Sequence, residues 1–469
     1  MENLKILSVL FCLLFLLSCG NQTSESSNEI VLTAWLTYKG SENAKFEELA
    51  LKFSQEYEKK HNKKVKILAK QVPFDDLVTN IKMSCLSKKT PDIARVDVQK
   101  VLELAYHQVA VKLDLLKNFD LTSIEEKGKE YMPGPFKANI VEIKNKEGKF
   151  EKHLYGLPEQ ASCLALFWNK KMFRARSREL RAAGLDPERA PRTWDELISY
   201  ARILTYQEGS DQYYGFAMNN SLWWTMPYFG GYNAQFVKID ESGKKICTLG
   251  DARTTAAFQF KVDLYAKHKI EAGAWKSGAI GPDVGFLNEK YAMILMGPWN
   301  VQKFQDKKLD FDVALIPKVS QEEANRLGLG EVPESATNVG GNSMIVFEES
   351  PYKEIAYDFI NYMASWETQV EWCDALKQVP VNRRAADILM GKEKHPKYPN
   401  IHVDPIIRTF MEQIQYAVAP PPLPMYSYIE TDACNPSMEL GLKSMKAVQQ
   451  ALLDAAKKIN NNVLSLVNE

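Results

Sequence analysis

The chain has little histidine and cysteine, the residues from which most metal and redox sites are built. Its 469 residues include six scattered histidines and seven cysteines, none of them in a Cys-x-x-Cys pair. Zinc and thioredoxin-like chemistry therefore have no support, and we expect no metal site and no cofactor. Five cysteines beyond the N-terminal region are odd in number and irregularly spaced, and we expect most of them to be buried small apolar residues, although an oxidising compartment permits a disulfide. These are Cys85, Cys163, Cys247, Cys373 and Cys434.

An excess of one charge is also missing. Lys and Arg together number 59, and so do Asp and Glu, so no overall basic field exists to attract a nucleic acid. Hydrophobic residues make up 45% of the chain and charged residues 25%, which is typical of a globular protein. We therefore expect no nucleic-acid partner.

Signatures of common catalytic sites are absent from the sequence. There is no Gly-x-Ser-x-Gly, no His-Glu-x-x-His and no phosphate-binding Gly-Lys-Ser/Thr. An enzyme acting on glycans needs two carboxyl groups at the scissile bond, and Asp97 with Glu159 is the pair that can be imagined there. Their separation in space does not follow from the sequence, and we expect a protein that is not an enzyme.

Long hydrophobic runs are confined to residues 6–17, a stretch that is short for a membrane span and fits a signal peptide. It ends in Leu-Leu-Ser-Cys-Gly, which resembles the bacterial lipobox, in which the cysteine becomes the lipidated first residue. This predicts a lipoprotein signal peptide over 1–18, a lipid on Cys19 and a polar, flexible tether over 19–28. The protein is then exported and anchored to a bacterial membrane, facing the periplasm or the cell exterior. The alternative is an ordinary signal peptide with a chance cysteine.

The remaining length is too great for one ordinary core, so we expect two lobes. Residues 30–36 have the pattern of a buried strand, and apolar residues from Phe46 to Tyr57 recur at helical spacing. A strand near 65–68, a helix near 74–83 and a strand at Ile93 continue the alternation. This predicts a mostly parallel sheet covered on both faces, with a ligand at the carboxyl ends of its strands.

Local signals mark further helices. Thr193 and Glu196 have the spacing of a capping box, and Ser350-Pro351 predicts a helix with proline at its first position. Near the C-terminus an apolar stripe predicts a helix that packs against the body of the protein. The stripe comprises Met438, Leu442, Met445, Leu452, Ala456, Ile459 and Val463.

Several blocks follow one another in the order typical of one protein family. They are Thr90 to Ile93 (TPDI), 155–158 (YGLP), 166–170 (LFWNK), 191–197 (PRTWDEL), 286–299 (FLNEKYAMILMGPW), 311–317 (FDVALIP) and 339–341 (VGG). Together they resemble the extracellular solute-binding proteins that serve ABC-type sugar importers, the group that contains maltose-binding protein. Glu289 stands where the family usually has glycine.

This resemblance implies an α/β fold of two lobes, the type II periplasmic-binding-protein fold, with a ligand cleft between the lobes and a hinge. We expect residues 29–138 and 315–365 to form the N-terminal lobe, and 139–314 and 366–469 the C-terminal lobe. The implied function is that of a monomer that captures a mono- or oligosaccharide, or a similar polyhydroxylated solute, by hinge closure. It would deliver this solute to ABC permease subunits.

Two other functions remain open, a surface glycan-degrading enzyme and a lipoprotein that presents its ligand to a sensor. For the ligand itself, the alternative to a sugar is a polyol, a glycerol phosphodiester or another small polar solute. The loops that form such a site vary within a fold, so the fold does not identify the ligand.

Aromatic side chains are the expected contacts for the apolar faces of a sugar. Trp299, in Gly-Pro-Trp, is the main candidate because the resemblance brings this loop to the cleft; the alternative is a core residue that supports the turn. Trp223 and Trp224 are adjacent, and on a strand only one of them can point into the cleft. Trp275 and Tyr426 are further candidates. Three other tryptophans are expected to serve packing: Trp168, Trp194 and Trp372.

Polar contacts with sugar hydroxyls are expected from Tyr38 and Lys39 in the first loop, from Asp97 after the third strand, and from Glu159 after Leu-Pro. For Lys39 and Asp97 the alternative is a solvated side chain.

A second group of polar contacts lies further along the chain. Asn338 is expected to supply an amide and Gly341 a close approach of the backbone. Arg383 lies where the family often has an arginine facing the cleft, and its alternative is a surface salt bridge.

Overall fold

A computed structural model describes residues 29–119, 123–145, 147–397, 399, 401, 403–418, 423 and 425–468. The predicted signal peptide, Cys19 and the tether lie outside the described residues. Within these ranges no helix combines the length and the apolar character needed to cross a bilayer.

The strands of the described residues are short and occur along most of the chain. In order they are β1 (Ile30–Leu36), β2 (Val65–Gln71), β3 (Ile93–Asp97), β4 (Ile140–Lys144), β5 (Phe150–Leu154), β6 (Leu157–Ser162), β7 (Ala165–Asn169), β8 (Tyr206–Glu208), β9 (Asp211–Tyr213), β10 (Val237–Ile239), β11 (Lys245–Cys247), β12 (Met293–Met296), β13 (Phe311–Ala314), β14 (Thr337–Asn338), β15 (Gly340–Val346) and β16 (Ala417–Val418).

Helices connect and cover these strands. In chain order the α-helices of the described residues are α1 (Ser41–His61), α2 (Leu77–Ser87), α3 (Val101–Tyr106), α4 (Ile124–Gly128), α5 (Pro133–Lys137), α6 (Lys170–Ala175), α7 (Ser177–Ala182), α8 (Trp194–Leu204), α9 (Leu222–Gly231), α10 (Ala252–Ala266), α11 (Pro282–Leu287), α12 (Val301–Asp306), α13 (Gln321–Leu327), α14 (Lys353–Ala364), α15 (Trp366–Leu376), α16 (Arg383–Leu389), α17 (Pro405–Gln413), α18 (Tyr426–Tyr428), α19 (Asn435–Leu442), α20 (Val448–Ile459) and α21 (Ser465–Asn468). Shorter turns of 3-10 helix include Val98–Lys100 and Pro298–Asn300, and Ile429–Cys434 is a π-helix.

The first sheet has the strand order β2-β1-β3-β15-β6. Its β1 pairs in parallel with both β2 and β3, whereas β15 runs antiparallel to β3 and β6. The sheet is buried on both faces, as predicted: Leu32 and Phe46 belong to one apolar cluster, and Val96 and Leu104 to another. Four of the five strands, β2, β1, β3 and β6, run in the same direction, which agrees with the predicted mostly parallel sheet. Strand β15 returns from a distant part of the chain and enters the sheet in the opposite direction.

The second sheet is smaller, with the order β12-β7-β13 and antiparallel pairing throughout. One of its faces contributes Leu166 to a separate core that also contains Trp194, Tyr228 and Phe258. Its other face contributes Phe167 to the apolar cluster of the first sheet. Strand β7 is therefore buried on both sides. We call the first sheet with the helices that cover it the first unit, and the second sheet with the core that contains Leu166 the second unit; β7 connects the two through shared packing.

The division into lobes stays a prediction, but packing argues for other boundaries. Strand β6 pairs within the first sheet, and α15 lies against α1, where Glu371 accepts a hydrogen bond from Lys52 at 2.6 Å. Both segments had been assigned to the C-terminal lobe. Ala324 in α13, assigned to the N-terminal lobe, is buried in the core of the second sheet.

Local helix signals were largely correct. Glu196 N donates to Thr193 Oγ1 at 3.2 Å, so Thr193 caps the helix as predicted. The Glu196 carboxylate reaches back, but it accepts from Arg192 N at 2.8 Å, one residue before the cap, so the capping box forms in this modified way. Helix α14 begins at Lys353 rather than beside Pro351, which lies in the preceding turn. The C-terminal stripe is divided between α19 and α20, and the break leaves Met445 71% exposed.

Candidate functional site

Three tryptophans meet at one edge of the second unit. Trp223 and Trp224 open helix α9, and Trp299 lies in the 3-10 turn that follows β12. Ring centroids are 5.1 Å apart for Trp223 and Trp224, 6.1 Å for Trp223 and Trp299, and 6.4 Å for Trp224 and Trp299. The ring of Trp299 folds back over Gly297, and 38% of the residue is exposed. We call these three residues the tryptophan cluster.

Helix α9, rather than a strand, presents the adjacent pair. Ser221 caps the helix and accepts from Trp224 N at 3.4 Å. The prediction of a strand for these two residues is wrong, and with it the geometric reason for only one ring to point into the cleft. Consecutive residues on a helix point about 100° apart, so both indoles reach Trp299.

The tryptophan cluster packs against the start of β15, the strand by which the chain enters the first sheet. The indole of Trp223 covers Gly340, the first residue of β15, and Asn338 Nδ2 donates to the carbonyl oxygen of Trp223 at 2.9 Å. Asn338 is fully buried, and its Oδ1 accepts from Leu164 N at 3.2 Å. Both ends of this amide are therefore used in holding α9 to the second sheet, and the predicted contact between Asn338 and ligand stays a prediction.

Asp97 and Tyr426 lie on the polar side of this region. Asp97 ends β3, is half-buried, and its Oδ1 accepts from Gln99 N at 2.8 Å. Burial raises the pKa of Tyr426 well above its ordinary value, and the Glu430 and Asp97 carboxylates raise it further. These three side chains therefore lie near one another although 329 positions or more separate Asp97 from the other two.

Two buried donors in this region have no hydrogen-bond partner among the described residues. They are Trp223 Nε1 and Tyr426 Oη. Buried polar atoms are nearly always paired in native proteins, so each of these atoms has unused capacity to bind an oxygen.

A buried arginine lies in the middle of β3, and no sequence pattern predicted it as a functional residue. Arg95 is 4% exposed; its Nε donates to Glu159 Oε2 at 2.8 Å and its Nη1 to Thr37 Oγ1 at 2.7 Å. The guanidinium lies 4.3 Å from the ring centroid of Tyr38. Burial disfavours the charged guanidinium, but Glu159, Tyr38 and Glu42 together outweigh this effect and raise the pKa of Arg95.

Tyr38 and Glu159, both predicted to contact ligand, belong to this buried network. Tyr38 is 3% exposed and Glu159 is 1% exposed. Glu159 occupies a bulge in β6, where Gln160 pairs with Asn342 and Pro158 with Ser343. The bulge gives the strand one extra residue, and the Glu159 carboxylate meets Arg95. The predicted ligand contacts of both residues stay predictions.

Gly341 has the close backbone approach that the sequence suggested. Its φ is 131°, and a Cβ at this position would lie 2.0 Å from the carbonyl oxygen of Gln160. Only glycine fits here, since both the conformation and the space exclude a side chain. The approach is between β15 and β6; whether Gly341 also contacts ligand stays a prediction.

Residues 39–370, more than half of the chain, match the family described as bacterial extracellular solute-binding protein. The chain belongs to this family.

Curated relatives of this solute-binding protein bind different small solutes. It is 21% identical over 385 residues to the galactooligosaccharide-binding protein of Bacillus subtilis (strain 168), covering 80% of this chain and 78% of that one. It is 23% identical over 259 residues to the sn-glycerol-3-phosphate-binding periplasmic protein UgpB of Escherichia coli (strain K12), and this match spans 53% of each chain.

Solved structures share the fold. The GacH receptor of Streptomyces glaucescens, known unliganded and with acarbose, superposes with a TM-score of 0.71 at 20% identity, covering 92% of this chain and 98% of that one. An ABC substrate-binding protein from Listeria monocytogenes in complex with cycloalternan gives a TM-score of 0.70 at 19% identity, covering 94% and 99%. The type II, maltose-binding-protein-like fold predicted for this solute-binding protein is confirmed.

Trp275 is held by a buried carboxyl group in the second unit. Its Nε1 donates to Glu271 Oε2 at 3.1 Å, and Glu271 also accepts from Gly273 N at 2.7 Å and Met218 N at 3.1 Å. Burial, opposed by these hydrogen bonds, raises the pKa of Glu271 to about 7. Trp275 therefore has a packing and hydrogen-bonding role, and its predicted contact with ligand stays a prediction.

Lys39 and Arg383 are both exposed. Lys39 N donates to Glu42 Oε2 at 3.3 Å, near the start of α1. Arg383 opens α16, and its Nε donates to the carbonyl oxygen of Tyr131 at 2.7 Å. Arg383 borders two surface depressions, one of which also reaches Arg408 in α17. Neither side chain is in the tryptophan cluster, and their ligand roles stay predictions.

Proposed function

We propose that this solute-binding protein captures a mono- or oligosaccharide, or a similar polyhydroxylated solute, between its two lobes. It closes about the hinge and delivers the solute to the permease subunits of an ABC importer. It acts as a monomer and leaves the solute chemically unchanged.

The observation that carries this proposal is the tryptophan cluster. Three indoles in mutual contact, one of them 38% exposed, offer the flat apolar surface that the carbon face of a sugar ring needs. Asp97 can accept hydrogen bonds from hydroxyl groups, while Trp223 Nε1 and Tyr426 Oη can donate to them. Apolar plates beside a few polar groups are the usual composition of a small-molecule site.

The ligands of related proteins support a carbohydrate. One relative is named for galactooligosaccharides, and solved neighbours hold acarbose and cycloalternan. The relative named for sn-glycerol 3-phosphate keeps a polyol derivative as the second candidate.

Membrane attachment is part of the proposal. A lipid on Cys19, after removal of residues 1–18, would tether the protein to the membrane in which its permease lies. The sequence Leu-Leu-Ser-Cys-Gly supports this attachment.

A ligand screen tests the function. The purified protein is heated with members of a panel of mono- and oligosaccharides, polyols and sn-glycerol 3-phosphate, and each hit is measured by calorimetric titration. A ligand at a hundred times its Kd adds about 2.7 kcal/mol to the free energy of unfolding and raises Tm visibly. A sugar that binds and is recovered unchanged supports the proposal. A sugar that is consumed indicates an enzyme instead, and a panel without any sugar hit contradicts the carbohydrate assignment.

A further inference from the structure

Two segments from different units meet beside Asp97. One is the turn Val98–Lys100 with helix α3, which follows β3 of the first sheet. The other is helix α18 with the π-helix Ile429–Cys434, whose Tyr426 and Ile429 belong to the core of the second sheet. About 320 residues of chain separate the segments, so contacts between them exist only while the units are together.

Ser427 is at the centre of this contact. Its hydroxyl donates to Glu103 Oε2 at 2.6 Å and accepts from Lys100 Nζ at 3.1 Å. Lys100 Nζ also lies 3.9 Å from Glu430 Oε2 and 5.2 Å from the ring centroid of Tyr426. One lysine of the first unit therefore contacts three groups of the second unit: the ring of Tyr426, the hydroxyl of Ser427 and the carboxylate of Glu430.

The charges in this contact are largely shielded from water. The side chain of Glu103 is 6% exposed, that of Lys100 15% and that of Glu430 19%. Burial disfavours the Glu103 carboxylate, but Lys82 and Ser427 outweigh this effect and hold its pKa below the ordinary value. Charged hydrogen bonds with little access to water are stronger than those at an open surface.

We propose that Lys100, Glu103 and Ser427 form a polar latch that holds the two lobes closed before ligand enters and so sets the affinity of the site. The proposal rests on the hinge-closing function proposed above. It assigns these residues a positioning role, because they contact one another across the lobes and act on the ligand through closure.

The energetic reason is a shift between populations. Ligand binds tightly only to the closed form, so the measured Kd equals the intrinsic Kd divided by the closed fraction. A latch that raises this fraction without ligand lowers the Kd by the same factor. Its loss therefore weakens binding even though no atom that contacts the ligand has changed.

The test compares Lys100→Met and Ser427→Ala with wild type in the full protein. Lys171→Met is the matched control, because Lys171 pairs with Glu289 at 2.6 Å within the second unit and its loss removes the same charge. Small-angle X-ray scattering gives the radius of gyration without ligand, and calorimetric titration gives the Kd of the sugar found in the panel. Circular dichroism shows whether each variant is folded.

We expect ligand-free wild type to have the radius of gyration of the structure described above, in which Lys100 and Glu103 contact Ser427, and both latch variants to have a larger one. Lys100→Met is expected to weaken binding about tenfold, and Ser427→Ala about threefold, within the range of ordinary couplings between sites. Lys171→Met is expected to change neither quantity. Ser427→Ala removes a single oxygen and keeps the test valid if Lys100→Met does not fold.

Equal radii for wild type and both variants would overturn the latch, as would a wild type that is already open without ligand. The radius measurement needs no ligand, so it decides the latch even if no sugar in the panel binds. A panel without hits contradicts the proposed function and leaves the scattering result to stand by itself.

Discussion

The indole of Trp223 covers the α carbon of Gly340 so closely that a Cβ on Gly340 would lie 2.7 Å from Trp223 Cζ2. Gly340 is the first residue of β15, the strand that carries the chain into the first sheet. A missing side chain on one unit therefore defines the position of an aromatic ring on the other.

Replacing Gly340 with alanine should displace this ring. The added methyl group meets both Trp223 and Ser162, and overpacking of this kind costs about 1–3 kcal/mol. We expect Gly340→Ala to lower stability in urea unfolding and to weaken sugar binding in calorimetry. Gly134→Ala is the control, because a Cβ there meets no atom within 4 Å. Unchanged binding by Gly340→Ala would mean that Trp223 does not take part in the site.

Trp299 should matter for ligand and little for stability. Trp299 is 38% exposed, so Trp299→Ala costs less stability than the loss of a fully buried tryptophan, although its contacts with Gly297 and the other two indoles disappear. An aromatic anchor in a binding site is worth about 2 kcal/mol or more. We expect roughly 30-fold weaker binding by calorimetry and a small change in Tm. Tyr352, also 38% exposed, provides a control of equal exposure on the first unit. If Tyr352→Ala weakened binding equally, the loss at Trp299 would not be specific.

The buried pair of Arg95 and Glu159 should govern stability. Glu159→Gln keeps the shape of the side chain but leaves the guanidinium without its counter-charge, which costs about 3–5 kcal/mol when both groups are buried. We expect a large loss in the free energy of unfolding, measured with urea. Glu348→Gln removes the same charge from an exposed pair with Lys353 and should cost less than about 1 kcal/mol. Similar losses in the two variants would show that burial does not strengthen the Arg95 pair.

Stability should depend on pH through Glu271. Burial raises the pKa of Glu271 in the folded protein to about 7. In the unfolded chain its pKa has the ordinary glutamate value of about 4.3. The contribution of Glu271 is fully present below the unfolded pKa and is lost as pH rises through the folded pKa. The difference amounts to about 3 kcal/mol.

Urea unfolding of wild type and Glu271→Gln at pH 4 and pH 7 measures this contribution. Relative to the variant, wild type should be less stable at pH 7 than at pH 4 by about that amount. The range ends at pH 7 because Lys261, whose pKa burial lowers to about 7, adds the opposite slope above it. Parallel pH profiles for the two proteins would contradict the raised pKa of Glu271.

Lipid attachment should depend on one cysteine. In cells grown with labelled palmitate, Cys19→Ser should lose the label and leave the membrane fraction. Cys12→Ser lies in the apolar part of the predicted signal peptide and should keep both properties. Label that persists in Cys19→Ser would refute the lipobox assignment.

Features encoded by neighbouring residues were predictable. The buried stripe of α1, the helix cap at Thr193 and the alternation of strands with helices depend on spacings of a few residues, which the sequence shows directly. The two-lobe fold was predicted from the sequence blocks that resemble the family, and the solved structures confirm it. The tryptophans of the cluster were named from sequence, although the strand expected for Trp223 and Trp224 is a helix.

The reversed direction of β15 and the partners of single polar residues were not predictable from the sequence. Arg95 is one cation in an apolar strand, and its partner Glu159 is 64 positions away, so no local pattern marks the pair. Likewise, nothing beside Lys100 in the sequence points to Ser427.

The sequence by itself determined the extracellular solute-binding family and most of the kinds of secondary structure, because these follow from short-range pattern and composition. Only the tertiary structure decided that β15 runs antiparallel, that Glu159 neutralises Arg95, and that Trp223 packs on Gly340. Each of these depends on which distant segments share a core. That arrangement is set by the burial of side chains over the whole chain and not by any local stretch of sequence.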